Sequence, residues 1–208
     1  MPEVVRLDLK KQLKHLYAPS AKEIGIVDVP AMRFLMVDGA GNPNTSQAFQ
    51  EATEALYAVS YACKFAIKRQ EGIDYPVMAL EGLWWAEDMS AYTGGAKDDW
   101  LWRLMIMQPE PVTEEHVAGA IDEVNRKKGL PALAAMRFET FHEGLSAQIM
   151  HLGPYDAEAP TVARLHAFIE EHGYALRGLH HEIYVGDPRR SAPEKLRTVL
   201  RQPVAPKG

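Results

Sequence analysis

The hydrophobic residues of this chain follow the period of a helix in three segments. From residue 44 onward, an apolar stripe with spacings of three and four consists of Phe49, Ala52, Leu56, Val59 and Cys63. Within 113–128 the same spacing is made by Val117, Ile121 and Val124, and within 160–172 by Val162, Leu165 and Ile169. These patterns predict three amphipathic helices, each with one buried face.

Strand-like runs fill the sequence between these helices. They are rich in Val, Ile, Met and aromatic residues and are separated by turns that contain Gly or Pro. We predict two strands within 24–37 and single strands at 77–85, 100–107, 134–141, 145–152, 176–184 and 196–202. The strands on either side of Glu143-Gly144 are expected to form a hairpin. The polar segment from Glu87 to Asp99 is expected to be a flexible loop that is well placed to act as a flap.

The chain begins with a shorter amphipathic pattern. Leu9, Leu13 and Leu16 share one side of a segment from Leu7 to Tyr17, and lysines lie opposite. We predict a helix that ends before Pro19 and packs on the protein with a solvated basic face. Docking onto an anionic partner or a membrane is the alternative.

The two halves of the chain repeat one order of elements. Each reads strand, glycine-containing turn, helix, strand with an internal Glu, loop and strand, and each ends in Gln-Pro, at Gln108-Pro109 and Gln202-Pro203. Such a repeat indicates a pseudo-twofold arrangement of two similar units. Glu81 and Glu182 occupy matching positions, so we expect them to meet near a shared groove.

The strand around Glu182 has an unusual polar face. Successive side chains of a strand point to opposite sides, so His180, Glu182 and Tyr184 share one face, while Leu179 and Ile183 share the other. A carboxylate in mid-strand is costly to desolvate unless it meets a partner. We interpret this face as the wall of a pocket. The alternative is a surface Glu182 paired with Arg177 or Arg197 across strands. Glu81 has the similar alternative of a backbone or arginine partner.

Aromatic side chains could complete such a pocket. The candidates are Trp84 or Trp85, Trp100 or Trp102, Tyr155, Tyr184 and, one step off the first helical stripe, Tyr61. Their rings would stack on a flat ligand and stabilise positive charge. A buried Glu182 could neutralise a cation or accept a proton from water. Aromatic residues at strand spacing are also common in cores, so at least one of Trp84 and Trp85 is expected to point inward.

Composition and charge limit the classes of partner that the chain is expected to bind. The 208 residues are 47% hydrophobic and 25% charged, which is typical of a globular protein, and the net charge of −5 disfavours a nucleic-acid binder. No apolar run reaches the roughly 18 residues needed to span a membrane, and the first residues, Met-Pro-Glu-Val-Val-Arg, lack the apolar region expected of a signal peptide. The single Cys63 cannot form an internal disulfide, which favours a reducing cytoplasm. We therefore expect a small-molecule partner, and neither nucleic acid nor membrane.

Several common chemistries lack support in the sequence. The turn Gly39-Ala40-Gly41 lacks the third glycine of a dinucleotide fingerprint. His181 faces away from His180 and Glu182, so these three cannot share one metal ion. No Ser lies in a nucleophile-elbow context, and Cys63 lies on a buried stripe. We expect no metal and no cofactor.

The ordered motifs resemble a known family. Asp38-Gly39-Ala40-Gly41-Asn42-Pro43-Asn44, Leu80-Glu81-Gly82-Leu83-Trp84-Trp85, Gly153-Pro154-Tyr155 and His181-Glu182-Ile183-Tyr184 together resemble the GyrI-like small-molecule-binding proteins. The resemblance implies an α+β fold, in which two pseudo-symmetric β-α-β-β units form a curved antiparallel sheet with helices on the outer face and a ligand cleft on the concave face. We expect an N-terminal helix in 1–22 and one domain in 23–204, with repeats at about 23–112 and 130–204 joined by helix 113–128.

The resemblance also implies a function. Effector domains of multidrug-sensing transcription factors share this fold, and in them a buried Glu and aromatic rings receive cationic, aromatic drugs. Glu182 and Tyr155 match that Glu and a pocket Tyr by position. One branch hydrolyses cyclopropanoid DNA-alkylating compounds in an aromatic cage, and the Trp-rich strands with Glu81 are similar to it. We therefore expect binding of flat aromatic or cationic xenobiotics, with hydrolysis of strained electrophiles by Glu182 and Glu81. Non-catalytic sequestration, or a role as a ligand-sensing regulator component, is the alternative.

Overall fold

The computed structural model describes residues 4–86, 97–186 and 191–208, and within them the chain has an α+β fold with a large antiparallel sheet. The helices are α1 (Leu9–Gln12), α2 (Lys14–Tyr17), α3 (Gln47–Glu71), α4 (Glu114–Lys128) and α5 (Ala159–Glu171). The strands are β1 (Val5–Arg6), β2 (Gly25–Val29), β3 (Met32–Ala40), β4 (Ile73–Asp74), β5 (Leu80–Trp85), β6 (Leu101–Gln108), β7 (Arg137–Phe141), β8 (Gly144–Leu152), β9 (Tyr174–Leu176), β10 (His180–Tyr184) and β11 (Arg197–Pro206). The predicted α+β class is confirmed.

The order of elements repeats along the chain. The first half runs β3, α3, β4, β5 and β6, and the second half runs β8, α5, β9, β10 and β11. The repeat predicted from sequence is therefore present in the secondary structure. The short strands β4 and β9, which follow the long helix of each half, extend the match beyond the prediction. The predicted limits of the domain and its repeats stay predictions.

The chain divides into two compact units, and the first comprises Met1–Gln12, Met32–Leu80 and Trp85–Phe141. Its central strand β3 pairs antiparallel with β6 on one side and β7 on the other. Helices α3 and α4 pack on each other, and α3 also packs on β3 and β6. Ser46 begins α3 by accepting a hydrogen bond from the amide of Phe49, and Gly72 ends it in a left-handed conformation with φ of 70°.

The predicted stripe of α3 forms a buried face in this unit. Ala52, Leu56, Val59 and Cys63 are at most 1% exposed, which confirms the helical period. Burial raises the pKa of the Cys63 thiol to about 12, so the thiol stays protonated at neutral pH. Cys63 is therefore a core residue, as its position on the stripe predicts.

The second unit comprises Leu13–Ala31, Glu81–Trp84 and His142–Gly208. Its antiparallel strands lie in the order β2, β8, β11, β10, and the segment Glu81–Trp84 of β5 follows beside β10. Helix α5 covers β8 and β11 with Leu165 and Ile169. The core beneath the helix contains Ala147, Ile149, Leu200 and Val204. This unit carries the polar face that the sequence singles out.

Two predictions of local structure are wrong. The expected hairpin around Glu143-Gly144 does not form, because β7 pairs with β3 whereas β8 pairs with β2 and β11. The expected single N-terminal helix is two short helices, α1 and α2, separated at Leu13, whose φ of −102° and ψ of 19° depart from helical values. Local patterns do not encode these long-range pairings. The predicted loop 87–99 falls mainly outside the described residues, and only its end, Lys97–Asp99, is seen as a 3₁₀ turn.

Candidate ligand-binding and catalytic site

Strand β10 has two chemically different faces, as the alternation of its sequence predicts. The Glu182 carboxylate contacts the side chains of His180 and Tyr184, so these three residues share one face. His181 and Ile183 lie on the other face and are at most 1% exposed. The candidate site is therefore built on the Glu182 face.

The two oxygens of the Glu182 carboxylate have different neighbours. The Tyr184 hydroxyl donates to Oε2 at 2.8 Å, and Oε1 lies 3.4 Å from Nε2 of His180. The side chain keeps 14% exposure, so the carboxylate is largely desolvated. Arg177, one of the predicted alternative partners, instead donates to the carbonyls of Glu143 and Val204. A carboxylate in this setting can accept a further proton or hydrogen bond.

Aromatic groups cluster around Tyr184, the residue that donates to this carboxylate. The indole Nε1 of Trp84 donates to the Tyr184 hydroxyl at 3.1 Å, and the Tyr155 ring meets the Tyr184 ring edge-on at 5.5 Å between centroids. Gly82 makes room for the indole, because a Cβ there would lie 2.8 Å from Trp84 Nε1. Trp84, Tyr155 and Tyr184 thus form an aromatic cluster beside Glu182, with Tyr155 still 38% exposed.

Electrostatics fix the protonation of the groups around Glu182. Burial, and then the negative charges of Glu182 and Glu158, raise the pKa of Tyr184 far above its usual value, so the phenol stays a hydrogen-bond donor. Burial and the neighbouring His180 lower the pKa of His166, which favours its neutral form. In the described parts of the chain, no cluster of His, Cys, Asp or Glu has the geometry of a metal site.

Glu81 lies in a different environment from Glu182. Its Oε1 accepts a hydrogen bond from the Tyr17 hydroxyl at 2.5 Å, and its Oε2 lies 3.0 Å from Nε2 of His181. Because His181 and Glu182 point to opposite faces of β10, the structure does not bring the two glutamates together. Glu81 is 0% exposed and therefore buried away from any ligand in this conformation.

The face of β10 that bears His181 carries a buried charge network. The other ring nitrogen of His181, Nδ1, lies 2.9 Å from Glu143 Oε1, and Arg201 Nη1 donates to Glu143 Oε2 at 3.0 Å. Glu81, Glu143, His181 and Arg201 are each at most 2% exposed. The two negative charges of Glu81 and Glu143 are balanced by the two positive charges of protonated His181 and Arg201. Such a balance is needed because an unpaired buried charge is strongly destabilising.

Comparison with known proteins places this architecture. Residues 22–205 match the GyrI-like small molecule binding domain. The chain belongs to the GyrI-like small-molecule-binding family. An uncharacterised conserved protein from Listeria innocua is 39% identical, with a TM-score of 0.86 over 96% of this chain and 100% of that chain. Two structures of a hydrolase from Listeria innocua are 36% and 37% identical, with TM-scores of 0.83 over the same shares of both chains. A search of curated proteins finds no match.

The remaining predicted ligand residues of this GyrI-like chain lie in the first unit. Trp102 is 1% exposed, packs edge-on against Phe49 at 5.4 Å and fills the space above Gly39, where a Cβ would lie 2.1 Å from the ring. Tyr61 is 47% exposed and stacks on Phe65. Trp85 and Trp100 are half-buried, and Lys97 lies over the Trp100 ring. The ligand roles of these four residues stay predictions.

The sequence did not predict three residues of the buried charge network in the second unit, Glu143, Tyr17 and Arg201. Glu143 resembled a hairpin residue, and Tyr17 resembled the end of a surface helix. Arg201 offered a signal, because an arginine that follows the apolar pair Val199-Leu200 within a predicted strand needs a partner if it is buried. No helix in the described residues is long and apolar enough to cross a membrane.

Proposed function

We propose that the Glu182 face binds flat aromatic or cationic compounds and hydrolyses strained electrophiles such as cyclopropanoid alkylators. The observation that carries this proposal is the contact of the carboxylate with Tyr184, whose hydroxyl and ring in turn contact Trp84 and Tyr155. Rings that border a negative charge suit a flat ligand with positive or developing positive charge. The hydrolase from Listeria innocua supports a reaction in addition to binding.

The proposed reaction uses Glu182 as a general base. Water attacks a ring carbon of the bound electrophile, and the carboxylate takes its proton. The new C–O bond forms as the strained C–C bond breaks, and the electron pair passes into the conjugated carbonyl of the substrate. The oxygen of that carbonyl then takes a proton from solvent, and Glu182 returns its proton to solvent, so the net reaction adds one water molecule.

The Tyr184 hydroxyl orients the base. Its donation to Oε2 leaves Oε1, on the His180 side, as the oxygen that receives the proton. Because its pKa is raised, the phenol keeps its own proton while Glu182 cycles between charged and neutral forms. Glu81 does not take part as a contact residue, since it is fully buried with Tyr17 and His181.

Sequestration without chemistry is the second candidate function. The family is defined by small-molecule binding, and a carboxylate among rings neutralises a cation without any turnover. The two functions differ when substrate exceeds protein. Incubation of a small amount of protein with excess cyclopropanoid alkylator, followed by mass spectrometry, is expected to show many product molecules per protein. Loss of alkylator equal only to the amount of protein would establish sequestration.

The variant Glu182→Gln tests the role of the carboxylate. We expect turnover to fall by about 10² to 10⁴, the usual contribution of a general base. Affinity for the neutral flat compound acridone should change little, because the rings remain, whereas affinity for the flat cation ethidium should fall. Fluorescence titration measures both affinities.

The matched control for Glu182→Gln is Glu170→Gln. Glu170 lies on the same unit with its side chain 80% exposed, so its substitution should leave turnover and both affinities unchanged. Equal losses of turnover and of acridone binding in Glu182→Gln would contradict a base role.

A further inference from the structure

The buried charge network extends to the short helix α2 near the start of the chain. Arg201 Nη2 donates to the carbonyl of Leu16 at 2.6 Å, Gln148 Nε2 donates to the carbonyl of His15 at 2.7 Å, and the Tyr17 hydroxyl donates to Glu81. The first two bonds satisfy backbone carbonyls at the end of helix α2, which have no partner within the helix. The third joins the Tyr17 side chain to the network. The network therefore holds α2 against the strands of the second unit.

The network also crosses four neighbouring strands. Gln148 belongs to β8, Arg201 to β11, His181 to β10 and Glu81 to β5. Arg201 binds Gln148 through Nε at 3.0 Å and lies opposite His181 in the register of β10 with β11. Side-chain bonds thus connect every strand from β8 to β5 on this face, in addition to the backbone ladder.

His181 is the central group of the network. Its two ring nitrogens lie 3.0 Å from Glu81 and 2.9 Å from Glu143. Burial alone would lower the pKa of His181, but the charges and hydrogen bonds of Glu143 and Glu81 outweigh it and raise the pKa to about 9. The other groups around it are Arg201, on β11, and Tyr17, on α2, both bonded to its carboxylate partners. Loss of the His181 proton would leave two buried carboxylates facing only one cation.

His181 precedes Glu182 on β10, so the two side chains share a stretch of backbone. Holding His181 on one face fixes the rotation of the strand about its own axis, and this rotation sets the direction of the Glu182 carboxylate on the other face. A displacement of about 1 Å at a reacting group can cost on the order of 10²-fold in rate. The network can therefore affect a reaction at Glu182 although none of its side chains contacts that carboxylate.

We propose that His181, protonated between Glu81 and Glu143, is a positioning residue that orients Glu182 through the backbone of β10. The inference rests on the proposed function of Glu182. The proposal implies that the rate of the reaction falls at alkaline pH. The group responsible is His181, which lies on the face of β10 opposite Glu182 and does not contact the ligand.

The pH profile of the full-length protein gives the first test. In wild type, kcat for the cyclopropanoid alkylator should fall above pH 9 with KM nearly constant, because the aromatic cluster remains. The ring nitrogens of ¹⁵N-labelled His181, followed by NMR, should lose their proton over the same pH range. A His181 that titrates near its ordinary value, or a kcat that stays level through its titration, would overturn the proposal.

Two substitutions give the second test. His181→Gln removes the positive charge and should lower kcat on the order of tenfold to a hundredfold at pH 7, with little change in KM. The double variant Glu81→Gln with His181→Gln restores the charge balance, so it should recover most of the lost turnover and show no alkaline fall. An alkaline fall that persists in the double variant would exclude His181 as its source. His172→Gln, at the exposed end of α5, is the control and should match wild type.

A binding measurement separates failure of this proposal from failure of the proposed hydrolysis. If wild type shows no turnover, the hydrolase proposal is wrong, but the orientation of Glu182 is still measured by ethidium. His181→Gln should weaken ethidium binding on the order of tenfold and leave acridone binding nearly unchanged. Equal affinities of wild type and His181→Gln for ethidium would overturn the positioning role whether or not the protein is an enzyme.

Discussion

One hydroxyl group connects the aromatic cluster to the carboxylate. Tyr184 accepts a hydrogen bond from the Trp84 indole and donates one to Glu182, so a single phenol fixes the position of both neighbours. Bonds in such a chain polarise one another, and their loss is felt at both ends. The phenol is also half-buried, which makes an unpaired neighbour costly.

The substitution Tyr184→Phe removes this hydroxyl and keeps the ring. We expect a lower kcat, because Glu182 loses the donor that orients it, and a loss of stability of about 1–3 kcal/mol, because the Trp84 N–H loses its acceptor. Stopped assays of turnover and denaturant unfolding measure the two effects. Tyr174→Phe makes the same chemical change in β9 of the same unit and serves as the control. Unchanged turnover in Tyr184→Phe would show that the hydroxyl does not orient the base.

At the scale of a strand, β5 carries both environments within four residues. Glu81 points to the charge network, and Trp84 points to the aromatic cluster. Gly82 lies between them, where a side chain would occupy the space of the indole and approach the Tyr184 hydroxyl to 3.3 Å. The small residue is therefore needed for the packing of the ring and not for an unusual backbone conformation.

The substitution Gly82→Ala should disturb this packing. The added methyl group would force the Trp84 indole to move, which we expect to cost about 1–3 kcal/mol of stability and to weaken ethidium binding. Denaturant unfolding and fluorescence titration report the two quantities. Gly25→Ala in β2 adds a methyl group with nothing within 4 Å and should be neutral for binding. If Gly82→Ala and Gly25→Ala changed stability and ethidium affinity equally, the Trp84 indole would not depend on the space left by Gly82.

The same strands show what the sequence can predict. The grouping of His180, Glu182 and Tyr184 is a local property of alternation, and it is confirmed. The contact of Glu81 with His181 and Tyr17 depends on which strands are neighbours and in which register, and that information is spread over the whole chain. Glu143 follows the same logic, because a polar residue before a glycine resembles a solvent-exposed turn until the partners His181 and Arg201 are known.

At the scale of the molecule, the charge network sets how stability depends on pH. Burial alone would raise the pKa of Glu143, but the charges and hydrogen bonds of His181 and Arg201 outweigh it and lower the pKa from 4.5 to about 2. The stability contributed by Glu143 is thus present above pH 4.5 and is lost as the pH falls toward 2. The contribution of His181 is present below pH 6.5 and is lost as the pH rises through about 9.

The free energy of unfolding should therefore be highest between about pH 4.5 and pH 6.5 and should fall on both sides. Urea unfolding from pH 3 to pH 10 measures this profile. Glu143→Gln should be less stable at neutral pH, because it leaves His181 and Arg201 with one carboxylate fewer, and its acid side should be flatter than that of wild type. An acid side of unchanged steepness in this variant would assign the acid loss to other carboxylates.

The alternation of β10 restricts how this sequence can change over evolution. Only Arg177, Gly178 and Leu179 connect β9 to β10, and Gly178 has a φ of +64° beside Pro203. Deleting or inserting one residue in this connection would exchange the two faces, which would turn Glu182 into the dry interior beside Glu81 and Glu143. Three carboxylates would then share a space that is balanced for two. We expect relatives to keep the length of this connection and its central glycine, whose φ is positive, while the residue at position 179 varies.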